Sequence, residues 1–155
     1  MADKENDGEA TRLAADLCRR FEGLRLSPYH DSVGYPTIGY GRLLSRQRGG
    51  SLAQWPSISQ DEADALLLTD LAMSARGVLR LCPAPLTDGQ RGALIDFAFN
   101  LGAGALQSSA LRQCVLRGDH DGAAEQFGRW VYAGGIKLAG LVRRRKAEAE
   151  LYASR

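Results

Sequence analysis

The sequence predicts an α+β fold in which a first helix leads into a small antiparallel sheet, a long connecting helix and then a helical lobe. Three observations predict it. Apolar residues recur at helical spacing from Leu13 to Phe21 and from Ala63 to Cys82. Between these stretches, Pro28, Gly34, Pro36, Gly39, Gly41, Gly49, Gly50 and Pro56 punctuate short strand-like runs. Beyond Pro83, glycines separate further helical stretches, with no internal repeat and no strand-helix-strand rhythm. A chain of 155 residues with 45% hydrophobic content suits one domain with a continuous core.

Taken in order, residues 1–10 are polar, carry Asp3, Glu5, Asp7 and Glu9 against Lys4, and read as a flexible acidic tail, so order is expected from about Thr11. The first helix then places Leu13, Ala14, Leu17, Cys18 and Phe21 on one stripe and ends at Glu22, with Gly23 as its cap. Leu24 to Ser57 reads as a twisted hairpin sheet with an exposed loop at Arg46 to Ser51. Ser59-Gln60-Asp61-Glu62 has the form of a capping box and opens the long helix, and Thr87-Asp88-Gly89-Gln90 repeats the device. Helices are expected at Ala105 to Leu116, Asp119 to Tyr132 and Leu138 to Ala153. The organisation is thus a tail at 1–10 and one domain at 11–155, divided into a sheet lobe (11–58), a connecting helix (59–82) and a helical lobe (83–155), with a cleft between the lobes.

The balance of 20 basic and 18 acidic residues, a formal charge of +2, fits neither a strongly basic nucleic-acid binder nor a disordered chain. Cys18, Cys82 and Cys114 are odd in number and widely spaced, which points to buried thiols rather than a disulfide framework or zinc site. His30 and His120 lack ligand spacing, so no metal is expected. No secretory h-region and no long apolar run occurs, so synthesis in a cytoplasm is expected, with the protein a monomer. Arg143, Arg144, Arg145 and Lys146 read as a solvated helix face, and either Arg143 or Arg144 is a candidate partner for Glu22.

The chemistry concentrates in one stretch. Cleaving a glycoside near neutral pH takes a proton donor for the leaving oxygen and a second group that stabilises the cationic transition state or prepares the water. Glu22 stands at a helix end, Asp31 in the first hairpin region and Thr37 at the start of a strand. The partial negative charge of a helix C-terminus favours a protonated carboxyl there, the form a general acid needs. Asp31, in a polar turn near Arg25, is expected to stay ionised, so two similar groups take opposite roles.

Glu22-Gly23-Leu24-Arg25-Leu26, Tyr29, Asp31, Gly34-Tyr35, Thr37-Ile38-Gly39-Tyr40-Gly41 and Leu43-Leu44 closely resemble the phage-type lysozyme and endolysin family, glycoside hydrolase family 24. The family's motif of Glu, eight residues, Asp, five residues, Thr is matched at Glu22, Asp31 and Thr37. The resemblance continues through Leu86 to Gln90, Phe97 to Gly102, Ser108-Ser109, Trp130 to Gly135 and Gly140 to Arg144, nearly everything after residue 11. It implies a lysozyme-like fold and hydrolysis of the bond between N-acetylmuramic acid and N-acetylglucosamine in bacterial peptidoglycan, causing host cell lysis. Glu22 is then the general acid, Asp31 the stabilising carboxylate and Thr37 the hydroxyl that positions the water. Leu43, Phe99 and Ser109 are implied to touch the glycan, no cofactor is implied, and a holin-type partner would release the enzyme to the wall. Where the family commonly has histidine, this chain has Arg42, whose charge does not titrate. A lytic transglycosylase and a wall-binding module without catalysis are the alternatives.

Overall fold

A computed structural model describes the backbone of residues 2–154 and the side chains of residues 8–154. The chain forms two compact units, Cys18–Asp70 and Met1–Leu17 with Leu71–Arg155. The divisions fall inside the two long helices, after residues 17 and 70.

Helix α1 spans Ala2–Phe21, so the helix begins well before Thr11 and takes in most of the expected tail; Met1 lies outside the described residues. Two causes extend it. Arg12 pairs with Glu9 at 2.6 Å and Asp16 at 3.0 Å, the i,i+3 and i,i+4 contacts that support a helix. Ala10 is fully buried, and its carbonyl lies so near Gly92 that a Cβ there would sit 3.0 Å from it. At the other end, Glu22 N–H still donates to Cys18 O at 2.7 Å, which makes Glu22 the closing residue. Gly23 is not among the glycines with positive φ, so the helix ends without the left-handed cap expected of it.

In the Cys18–Asp70 unit, β1 (Arg25–His30), β2 (Pro36–Gly39) and β3 (Arg42–Leu43) form an antiparallel sheet in the order β1-β2-β3. Tyr29 faces Thr37 across one ladder and Leu43 faces Thr37 across the other, so Tyr29, Thr37 and Leu43 make a cross-strand row on one face. Ile38, Tyr40, Ala63 and Leu67 are buried in this unit. Gly39, at φ +67°, lets β2 approach α2 (Gln60–Leu81), where a Cβ would stand 3.7 Å from that of Ala63. The Ser59 capping box forms as read: Ser59 N–H donates to Glu62 Oε2 at 2.8 Å, and Glu62 N–H to Ser59 Oγ at 3.1 Å.

The other unit is built on α3 (Asp88–Leu101), which opens with the Thr87–Gln90 capping box. Its residues Gly92 to Ala98 are all buried, as befits a helix covered on every side. Phe97 meets Phe127 and Trp130 edge-on, with centroids 5.8 and 5.4 Å apart. The helix expected at Ala105 to Leu116 is instead two, α4 (Ala103–Gln107) and α5 (Ala110–Leu116). Ser109 breaks it, because its hydroxyl caps α5 by accepting from Arg112 N–H at 3.0 Å. The helix expected from Asp119 to Tyr132 shortens to α6 (His120–Gln126) and a 3₁₀ turn at Phe127–Arg129. A hairpin follows, β4 (Tyr132–Ala133) and β5 (Ile136–Lys137), turned by Gly134 and Gly135 at φ +57° and +78°. Helix α7 (Ala139–Ala153) ends the described chain. On it Arg144 and Arg145 are buried, which corrects the reading of that basic run as a solvated face.

Candidate active site

Glu22, Asp31, Thr37 and Leu43 all belong to the Cys18–Asp70 unit. Glu22 is half-buried at the end of α1, and its Oε2 lies 4.0 Å from where a Cβ on Gly41 would stand. Gly41 has φ +93°, open to glycine alone without strain, and it sits in the turn between β2 and β3. The turn glycine therefore leaves space beside the acid.

Asp31 follows β1 directly, and its Oδ1 accepts three backbone N–H bonds: from Val33 at 3.0 Å, Gly34 at 2.8 Å and Tyr35 at 2.9 Å. The hydrogen bond from Tyr35, then those from Val33 and Gly34, hold this carboxyl below its ordinary range, with the nearby charge of Arg48 adding to them. Arg25, expected to serve Asp31, instead stacks on the Tyr29 ring with its guanidinium 4.6 Å from the centroid. Arg48 comes from the exposed loop, packs over Tyr35 at 5.4 Å, and is tethered through Gly49 N–H to Gly34 O at 2.8 Å.

Thr37 is only 2% exposed and its hydroxyl donates to Tyr35 O at 2.8 Å. With its proton committed, the oxygen meets any further partner as an acceptor. Leu43, at the end of the same cross-strand row, is 48% exposed and free to meet a ligand. Tyr29, at the other end, was not singled out as a site residue by sequence reasoning. Burial chiefly raises its phenol above the ordinary range against the pull of Arg25, and the negative charges of both Glu22 and Asp31 add to the rise. One phenol therefore lies in the field of both carboxylates.

Arg42 bonds Asp70 of α2 at 2.9 Å. Burial raises the Asp70 carboxyl, and the arginine opposes that rise. The ion pair is one whose cation does not titrate, the consequence drawn from Arg42 in the sequence. Phe99 and Ser109 belong to the other unit; Phe99 is half-buried on α3, while the Ser109 hydroxyl is buried and engaged with Leu106 O and Arg112 N–H. Among the described residues, no cluster of three or more His, Cys, Asp or Glu could hold a metal ion, and no helix is long and apolar enough to cross a membrane.

Residues 19–148 match the family model described as phage lysozyme. The chain is 36% identical over 130 residues to the SAR-endolysin of Bacteriophage PS119, covering 84% of this chain and 75% of that protein. It is 37% identical over 144 residues to the endolysin of Bacillus phage B103, covering 92% of this chain but only 53% of that longer protein. Among solved structures it is similar to the muramidase domain of SpmX from Asticaccaulis excentricus, with a TM-score of 0.80 and 33% identity over 93% of this chain and 97% of that one. The endolysin from Escherichia coli O157:H7 phage FAHEc1 gives a TM-score of 0.80 at 31% identity, over 92% and 91% of the two chains.

Proposed function

Because the chain belongs to the phage lysozyme family, we propose that it is an endolysin hydrolysing the glycosidic bond between N-acetylmuramic acid and N-acetylglucosamine in peptidoglycan. Glu22 protonates the leaving glycosidic oxygen. Asp31, with Oδ1 saturated by three amides, stays ionised and uses Oδ2 to stabilise the sugar cation or draw a proton from the incoming water. Thr37, its own proton given to Tyr35 O, accepts from that water and orients it. Leu43, in the Cys18–Asp70 unit, and Phe99 and Ser109, in the other, are the residues assigned to glycan contact. Side chains and water complete the proton transfers, so no cofactor enters the scheme. Passage to the wall through a holin-type membrane partner belongs to the same proposal.

The observation that carries this reading is the placing of two carboxylates in one unit, Glu22 closing a helix and Asp31 bound by three backbone amides. Glu22→Gln keeps the side-chain shape and removes the transferable proton. Release of reducing ends from purified peptidoglycan is expected to fall roughly 100-fold or more, the usual worth of a general acid. Release at the parental rate by a folded Glu22→Gln protein contradicts the assignment.

A further inference from the structure

Behind the buried face of α7, the basic run noted in the sequence resolves into two arginines with different fates. Arg144 is matched: its Nε and Nη2 bond the two oxygens of the Asp96 carboxylate at 2.9 and 2.8 Å. Arg145, fully buried over the Phe97 ring, spends a single nitrogen. Its Nη2 donates to Asn100 Oδ1 at 2.8 Å and to Glu148 Oε1 at 2.6 Å, while Nε and Nη1 have no partner. Glu148 meets Arg145 through one oxygen and leaves Oε2 without a partner, while burial and the neighbouring Asp96 raise its carboxyl above the usual range against the pull of Arg145. A buried guanidinium with two nitrogens left unused is costly, and an anion brought to its side of the groove would add favourable charge.

Arg145 also lines a groove of about 300 Å³ in this unit. Its walls are apolar at Val131, Val142 and Ala149, and Lys137 and Lys146 stand exposed beside it, with Glu125 as the lone acidic group. The size is at the lower end of small-molecule sites, which are mostly apolar with a few polar groups. We propose that this groove binds a small oxyanion ligand, a carboxylate or phosphate group carried on a compact apolar body, held by Lys137 and Lys146 over the positive charge of Arg145. It contains none of Glu22, Asp31 or Thr37, so the proposal stands whether or not the chain cleaves glycans.

The test is a nuclear magnetic resonance titration of the full chain with isobutyl phosphate and, separately, with isovalerate. Saturable amide shifts are expected around Gly128, Val131, Lys137 and Ala149 with at least one of the two, and the pair of titrations separates phosphate from carboxylate as the preferred group. Lys137→Ala/Lys146→Ala, at two exposed positions, should weaken binding roughly tenfold, the sum of two partly screened charge contacts. Glu125→Gln should tighten it, a gain that misfolding cannot imitate. Shifts that do not saturate with either ligand, that map elsewhere, or that keep their affinity in the double variant overturn the site.

Discussion

Asp31 and Glu22 carry the same functional group, and their neighbours make them different. For Asp31 the neighbours are backbone amides, and their effect has a definite sign with pH. Its folded carboxyl lies below the unfolded value of about 3.9, so the stabilisation is complete above that value and is lost as pH falls through the lower folded one. The difference in melting temperature between the parent and Asp31→Asn is therefore expected to be steady from about pH 7 to pH 5 and to close in stronger acid; a gap that widens in acid contradicts the three-amide account. Gly41→Ala tests the other carboxyl's surroundings. At φ +93° a Cβ costs about 1–2 kcal/mol while meeting Glu22 Oε2 only at ordinary contact distance, so the melting temperature should fall, whereas the same change at exposed Gly8, inside helix α1, should raise it slightly and leave the lytic rate unchanged. Glu22, Asp31 and Thr37 were singled out in the sequence because a fixed spacing marks them. Tyr29 and Arg48 were not readable as partners, since stacking, strand register and loop closure bring them in, and none of these has a local signature.

Where side chains close a helix end, the sequence announced the element well. Ser59 and Glu62, and Thr87 and Gln90, form their reciprocal bonds as the pattern implies, because capping needs only residues three apart. Ser59→Ala is expected to destabilise the fold by about 1 kcal/mol in chemical denaturation, with Ser59→Asp restoring most of it; no measurable loss would mean the cap is redundant. Elements that depend on distant packing were misjudged. The N-terminal turns of α1 looked like a tail until Ala10 met Gly92, and the hairpin at Tyr132–Lys137 was hidden inside an apparent helix because its strands are two residues each. Ser109 is the instructive residue: its hydroxyl caps α5 and so splits one expected helix into two.

For the molecule as a whole, the α+β plan followed from the change of period between helical and strand-like stretches, and it agrees with the likeness to solved lysozyme-family structures. What periodicity could not reveal is the polar interior of the Leu71–Arg155 unit, where Asp96, Arg144, Arg145 and Glu148 are buried together. Such groups read as surface in any one-dimensional pattern, since only mutual contact permits their burial. The central claim concerns the reaction, and it is tested most directly by digesting purified peptidoglycan in heavy-oxygen water and weighing the fragments. Hydrolysis through Glu22, Asp31 and Thr37 predicts that each new reducing end carries one heavy oxygen atom, and that Glu22→Gln yields almost no such ends. Fragments closed as intramolecular anhydro sugars without the label, or labelled ends released undiminished by Glu22→Gln, would contradict it.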